Sequence, residues 1–195
     1  MPEIASAQVL DTFPRLLMDH AQVRGNKPAM REKDLGIWQC WTWHEVAEEV
    51  RALACGLAEM GFKRGDNLAI VGENRPRMYM MMTAAQCLGG VPLPLYQDAV
   101  ANEMLFVLLD AEVRFIFVED QEQVDKVLEI QTQLPQLEHL LYDDPRGMRH
   151  YTLPFIHDTR ELMAMGRIHN RNHPDLLTRE VAVGASDDVS VMLYT

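Results

Sequence analysis

The chain has 195 residues, the length of one to one-and-a-half average domains, and its 48% hydrophobic and 24% charged residues are ordinary for a globular protein. Its formal net charge of −11 is concentrated in residues 98–144, where 12 acidic side chains accompany only two basic ones. A broad acidic field repels phosphate backbones, so we expect no nucleic acid partner.

The cysteines and the apolar runs narrow the class of protein further. Cys40, Cys55 and Cys87 lie far apart and form no CxxC motif, which argues against a disulfide framework and a zinc site. The first residues carry acids and lack the apolar core of a signal peptide. The longest apolar run, "MYMMMTAA", is far too short for a membrane span. We therefore expect a soluble, cytoplasmic protein.

A helix is predicted in "TWHEVAEEVRALACGLAEMG", where apolar residues recur with the spacing of one buried face. Thr42 and Glu45 form a capping box, in which each side chain accepts a hydrogen bond from the other residue's amide. Gly61 ends the helix, because glycine accepts the left-handed conformation. The following "NLAIV" is typical of a buried parallel strand.

The same alternation continues along the chain. Asn74 is expected to cap a helix over residues 75–88, and "VPLPL" follows as a strand weakened by Pro92 and Pro94, which lack the N–H donor. A helix over 100–111 is expected to bury Val100, Met104, Val107 and Leu108. "VRFIFV", an Asp120-capped helix to about residue 133, and "LEHLLY" complete the series. This alternation predicts an α/β fold with a doubly wound parallel sheet, flanked by helices on both faces and containing strands 68–71, 114–118 and 138–142.

Regular structure is less evident after residue 145. Asp158 and Glu161 indicate a short helix ending at Gly166, and "RIHNRNHPD" is interpreted as an exposed connection. "LLTREVAVGASDD" is compatible with a second short helix. The alternating "SVMLYT" predicts a last strand.

No complete catalytic or binding motif is present. A glycine-rich dinucleotide or phosphate loop and a GxSxG serine elbow are both missing. His169 and His173 have the spacing of a metal pair, but no glutamate of an HExxH motif lies between them, so a solvated loop is the better interpretation. The methionines of "MYMMMTAA" are interpreted as one side of a buried helix rather than as a lipid pocket. The residues alone therefore indicate an α/β domain without a complete active site.

Three stretches in order, "TWHEVAEEVRALACGLAEMGFKRGDNLAIVGENRP", "AAQCLGGVPLPLY" and "DDVSVMLYT", resemble the opening of the adenylate-forming acyl-CoA synthetases. Details such as "PLYQDAV" and "YDDPRG" look closest to the bacterial long-chain fatty acyl-CoA synthetases. The resemblance implies part of the large N-terminal, AMP-binding domain. We expect a lead-in over 1–40, core βα units over 41–145, a connection over 146–186 and a strand over 187–195.

In that family a strand ending in Tyr-Thr runs directly into the phosphate loop. The resemblance therefore assigns Tyr194 and Thr195 to the start of a cofactor-binding loop, and it identifies no catalytic or metal-binding residue in this chain. The full-length enzyme would use ATP and Mg²⁺ to convert a fatty acid into an acyl-adenylate, and coenzyme A would then displace AMP. We expect an N-terminal fragment that is inactive alone and binds none of these compounds tightly.

Two other classes of function are less consistent with the sequence. A stand-alone, non-catalytic α/β binding module derived from such an enzyme would also lack complete motifs, and the reading frame beyond Thr195 would distinguish the two. A reductase or dehydrogenase would need a glycine fingerprint that is missing. A homodimer through the exposed edge of the last strand and peripheral contact with a membrane are left open.

Overall fold

The computed structural model describes residues 10–194; the first nine residues, with the start of the expected lead-in, and Thr195 lie outside this range. The helices in it are α1 (Phe13–Val23), α2 (Trp43–Glu59), α3 (Pro76–Cys87), α4 (Ala101–Asp110), α5 (Gln121–Ile130), α6 (Thr159–Asn172) and α7 (Leu176–Val183). The strands are β1 (Pro28–Asp34), β2 (Ile37–Thr42), β3 (Asn67–Val71), β4 (Val91–Leu95), β5 (Phe115–Val118), β6 (His139–Tyr142) and β7 (Ile156–Asp158).

Five of the strands form one parallel sheet in the order β4-β3-β5-β6-β7. Ala69 of β3 pairs with Leu93 of β4 on one side and with Ile116 of β5, the central strand, on the other. Helices α3, α4 and α5 connect successive strands as crossovers. The predicted parallel pairing of the three strands near residues 68–71, 114–118 and 138–142 is confirmed.

Both faces of this sheet are apolar and both are covered. Leu68, Ile70, Phe115 and Phe117 pack in a core with α2, α3 and α6, whereas their alternate neighbours pack in a second core with α4 and α5. Alternate side chains of a strand point to opposite faces, so a continuous apolar run is what a sheet covered on both sides requires. The predicted α/β layering is therefore confirmed.

Helix α2 begins and ends as its sequence predicts. The Thr42 amide donates to Oε2 of Glu45 over 2.7 Å, and the Glu45 amide donates to Oγ1 of Thr42 over 3.3 Å. Gly61 follows the helix with φ of +89°, the left-handed conformation that favours glycine. The apolar face of α2, including Val50 and Leu53, is fully buried.

Two details of the neighbouring helices differ from the predictions. Asn74 does not cap α3, because the cap position is Arg75 and the first helical residue is Pro76, which has no N–H to satisfy. The Asn74 Oδ1 atom accepts a hydrogen bond from the Tyr79 hydroxyl over 3.3 Å instead. Val100 was expected to be buried but is 57% exposed, since it precedes α4 rather than lying on its inner face.

Gly166 does not end a helix. Helix α6 continues to Asn172, so residues 167–172 of the expected connection are helical, and α7 is the second short helix. Gly166 lies where α6 crosses α2, and a Cβ atom added there would come within 1.9 Å of the Ala52 carbonyl oxygen. The glycine therefore permits a close helix crossing, which its sequence context does not distinguish from a helix end.

The predicted last strand is not formed. Residues 189–194 run beside the outer edge of β4 but are joined to it by one backbone hydrogen bond, from the Met192 amide to the Pro92 carbonyl over 3.0 Å. Pro92 and Pro94 lack the donors that a full ladder needs. Helix α1, strand β7 and the antiparallel β1–β2 hairpin were not predicted from the sequence. No helix within residues 10–194 has both the length and the apolar character needed to span a bilayer.

Candidate ligand site at the carboxyl edge of the sheet

A cavity of about 690 Å³ opens at the carboxyl ends of β3 and β4. It lies between the β3–α3 turn (residues 72–74), the β4–α4 loop (residues 95–98) and residues 193–194. In open parallel sheets, ligands bind in the crevice outside the carboxyl ends of the strands. Tyr194 lines this cavity, so one of the two predicted site residues lies at the edge where a ligand is expected; Thr195 lies outside the described residues.

The β3–α3 turn is tied to the end of β5 through one carboxylate. A Cβ atom at Gly72 would meet Cβ of Glu119 at 2.8 Å, so only glycine allows this approach. Oε2 of Glu119 accepts from the Glu73 amide over 2.6 Å, and Oε1 accepts from Nε of Arg75 over 2.5 Å. Arg75 also donates to Glu32 over 2.8 Å, and these contacts raise the pKa of its guanidinium. The turn is held by charge-assisted bonds on both sides.

The β4–α4 loop is held from below by a lysine. Nζ of Lys126 donates to the Gln97 carbonyl over 2.6 Å and pairs with Glu122 over 2.9 Å. The Lys126 ammonium group therefore contacts the loop and α5, and Lys126 is not among the residues that line the cavity. Tyr96, the first residue after β4, is 84% exposed.

The Tyr194 side chain is anchored by the last residue of α4. Its hydroxyl donates to Oδ2 of Asp110 over 2.5 Å. This hydrogen bond raises the pKa of the phenol, because the neutral form is the one that can donate. Tyr194 is therefore a neutral donor with its ring fixed against α4.

Beside the cavity, a partly buried acidic group, Asp143, directly follows β6. Burial raises the pKa of Asp143 to about 6, and Arg77, with Nε 3.4 Å from Oδ1, opposes that effect. The nearby carboxylates of Glu32, Asp144 and Glu119 raise it further. Nη1 of Arg77 also pairs with Glu49 of α2 over 2.5 Å. The arginine is thus shared between two carboxylates rather than directed at the cavity.

The cavity does not fit a nucleoside triphosphate as the described residues line it. Its charged lining residues are Glu73 and Asp98, and no lysine or arginine is among them. Residues 10–194 also contain no cluster of three His, Cys, Asp or Glu side chains that could hold a metal ion. Residues 10–194 hold the β3–α3 turn and the β4–α4 loop in place and bring residues 193–194 to the edge of the sheet.

The other candidate residues of the sequence analysis lie elsewhere. The rings of His169 and His173 are 4.5 Å apart, and Nδ1 of His169 contacts the Glu59 carboxylate. His169 lies in α6 and His173 directly after it, whereas a loop was expected for both. Met80 and Met81 are buried in the core, as the helix interpretation predicted, and so are Cys55 and Cys87.

Sequence reasoning missed the residues that shape the site. Glu119 and Asp143 each follow a predicted strand directly, and that position was a usable signal, because the carboxyl ends of parallel strands share one edge. The pairing of Asp110 with Tyr194 had no local signal, since the two residues are 84 positions apart in the chain.

Comparison with known proteins identifies the family. Residues 17–195 match the family model described as AMP-binding enzyme. The chain belongs to this family. The match extends through the β1–β2 hairpin, the parallel sheet and residues 193–194 of the cavity, and it confirms the resemblance seen in the sequence.

Two curated relatives of this AMP-binding chain are named as CoA ligases. It is 26% identical over 157 residues to a long-chain fatty acid–CoA ligase of Xenopus laevis, covering 80% of this chain and 21% of that protein. It is 30% identical over 106 residues to one of Mycobacterium bovis, covering 54% of this chain and 18% of that protein. The chain thus spans about a fifth of the length of these relatives.

A solved structure supports the fold. The acetoacetyl-CoA synthetase of Streptomyces lividans is similar over 78% of this chain and 25% of that one, with a TM-score of 0.70 and 22% identity. Together with the parallel sheet, this similarity shows that the chain shares the α/β fold of the matching part of that enzyme.

Proposed function

We propose that this chain forms part of a long-chain fatty acid–CoA ligase. The enzyme would convert a fatty acid, ATP and coenzyme A into acyl-CoA, AMP and pyrophosphate. Support comes from the AMP-binding family, from the two relatives named as long-chain ligases, and from the order of the three motif stretches.

The observation that carries this proposal is the position of Tyr194. Residues 189–194 follow the edge of β4 and end at the cavity beyond its carboxyl end. A loop that begins with Tyr194 and Thr195 would continue over the crevice where parallel sheets bind ligands. In this proposal residues 41–145 are the core βα units, and residues 187–195 bring the chain to the phosphate loop.

The 195-residue chain alone should form no acyl-adenylate. A triphosphate is a dense anion, and the described lining of the cavity offers it two carboxylates and no cation. Electrostatic stabilisation by fixed cations and donors is the main requirement of such a reaction. Binding of Mg²⁺, ATP and coenzyme A would therefore depend on groups other than those of residues 10–194.

Pyrophosphate release tests this proposal. The assay contains palmitate, ATP and Mg²⁺, with either the 195-residue chain or a longer protein that also carries a complete AMP-binding domain. We expect that only the longer protein releases pyrophosphate. Calorimetry should likewise detect ATP binding only with that protein. Pyrophosphate release or micromolar ATP affinity in the 195-residue chain would contradict the inactive-fragment assignment. A longer protein that releases none would favour the non-catalytic module.

A further inference from the structure

The outer edge of β4 offers carbonyl groups but almost no amide donors. The Val91 amide donates to the Asp66 carbonyl over 2.9 Å, and Val91 pairs with Asn67 of β3. Since N–H and C=O groups of alternate strand residues point to opposite sides, those of residues 92 and 94 point away from β3. Both of these residues are prolines, which have no N–H.

A parallel strand paired with this edge would both donate backbone hydrogen bonds to it and accept them from it. The edge can accept such bonds at its carbonyl groups, but it cannot donate them. The Met192 amide donates to the Pro92 carbonyl over 3.0 Å. In a regular ladder, residue 94 would donate back to the Met192 carbonyl, and residue 92 would donate to the Ser190 carbonyl. Pro94 and Pro92 can make neither bond, so backbone pairing alone does not fix the register of residues 189–194.

A side chain occupies the place of one missing donor. Nε2 of Gln86, in the last turn of α3, donates to the Ser190 carbonyl over 2.6 Å. We propose that Gln86 is a positioning residue whose amide replaces the absent N–H of Pro92 and sets the register of residues 190–194 against β4. Its consequence for catalysis rests on the proposed function, because these residues lead to Tyr194 at the cavity.

Other side chains hold the two ends of the same segment. Nη1 of Arg64 pairs with Asp188 over 3.3 Å before it, and Tyr194 donates to Asp110 at its end. Between these points, Gln86 and the single Met192 bond are the polar contacts that lock the segment to the sheet. Loss of Gln86 should therefore loosen the middle of the segment while both ends stay attached.

Hydrogen exchange of the 195-residue chain tests this directly. Gln86→Met removes the donor and keeps the length of the side chain, and we expect exchange of the Met192 amide, which is hydrogen-bonded to β4, to become about fivefold faster, as for the loss of one hydrogen bond. Gln86→Glu, whose carboxylate cannot donate, should give the same change. Circular dichroism and exchange in β3 and β5 establish that each variant is folded.

A double variant that restores an N–H at residue 92 tests whether Gln86 acts through its hydrogen bond or only through general packing. Pro92→Val adds an N–H at the place that Gln86 replaces, so the Gln86→Met/Pro92→Val double variant should return to near wild-type exchange. Pro154, in an exposed loop, supplies the matched control: Gln86→Met/Pro154→Val should remain fast. Unchanged exchange in both Gln86 variants, or equal behaviour of the two double variants, would overturn the inference.

The consequence for the reaction is measured separately in the longer protein. Gln86→Met should raise KM for ATP more than KM for the fatty acid, and Pro92→Val should reverse the change. A normal KM for ATP despite faster exchange would overturn the catalytic part of the inference. If the unmodified longer protein forms no acyl-adenylate, the proposed function fails, whereas the exchange experiment still decides the role of Gln86.

Discussion

Gly166 lies where α6 crosses α2, and adding one methyl group there should lower the free energy of unfolding. In Gly166→Ala the new Cβ would lie 1.9 Å from the Ala52 carbonyl oxygen and 2.6 Å from the Gly56 amide nitrogen, although real Cβ atoms essentially never approach within 3.0 Å. Both partners are backbone atoms inside a helix and cannot rotate away. The helices must therefore separate, which loosens the packing of buried Leu53 and Leu162.

Two opposing free energies set the size of the effect. Overpacking of this severity costs about 3 kcal/mol, and replacing a helical glycine by alanine returns about 1 kcal/mol of helix propensity. The net loss in the free energy of unfolding is about 2 kcal/mol, which corresponds to a fall in Tm of about 4–8 °C for a domain of this size. Urea denaturation followed by circular dichroism measures it directly.

Two further variants make the test specific. Arg167→Ala changes the adjacent, exposed residue of α6 and should alter stability by no more than about 0.5 kcal/mol. Gly56→Ala meets the Leu162 carbonyl at 2.5 Å and should destabilise less than Gly166→Ala, with a less than additive double variant because both act at one crossing. A Gly166→Ala protein as stable as wild type would refute the reasoning.

Three other outcomes follow from the same structure. Because burial raises the pKa of Asp143 to about 6, above its unfolded value, the folded state binds more protons, and this group's stabilisation is lost as pH rises from about 4 to 6. Asp143→Asn should flatten that part of the stability curve in denaturation experiments at several pH values, and an unchanged curve would contradict it. In a thiol-reagent assay on the folded chain, exposed Cys40 should react quickly, whereas Cys55 and Cys87, buried and with raised pKa values, should react only on unfolding. Leu193, 67% exposed beside the sheet edge, should promote self-association, so Leu193→Glu should shift sedimentation toward the monomer; a wild-type monomer at high concentration would count against this.

The sequence predicted the parallel sheet well because each signal was local. Residues 68–71 and Phe115–Val118 are apolar at successive positions, the pattern typical of a strand covered on both faces. The capping box of α2 lies within four residues, so it too was visible. These features depend on neighbours in the chain, which a single sequence displays.

Two of the errors arose because the deciding partner was distant in the chain. Gly166 looks the same whether it ends a helix or lies in a close crossing, and only Ala52, more than a hundred residues away, decides between them. The missed contact between Asp110 and Tyr194 is of the same kind. Asn74 was a local error, since Pro76 at the first helical position removes the need for a cap.

The prediction of a last strand failed for a different reason. Its local pattern was correct, but the edge against which the segment lies prevented pairing. "SVMLYT" alternates as a strand should, and residues 189–194 do lie against the sheet, but the neighbouring edge carries Pro92 and Pro94. Prolines protect an edge strand from uncontrolled pairing, because the edge then lacks donors for another chain. Here the same property leaves the segment beside β4 attached by one backbone hydrogen bond and a few side chains. A segment held in this way can shift without breaking a ladder, as the proposed delivery of a phosphate loop would require.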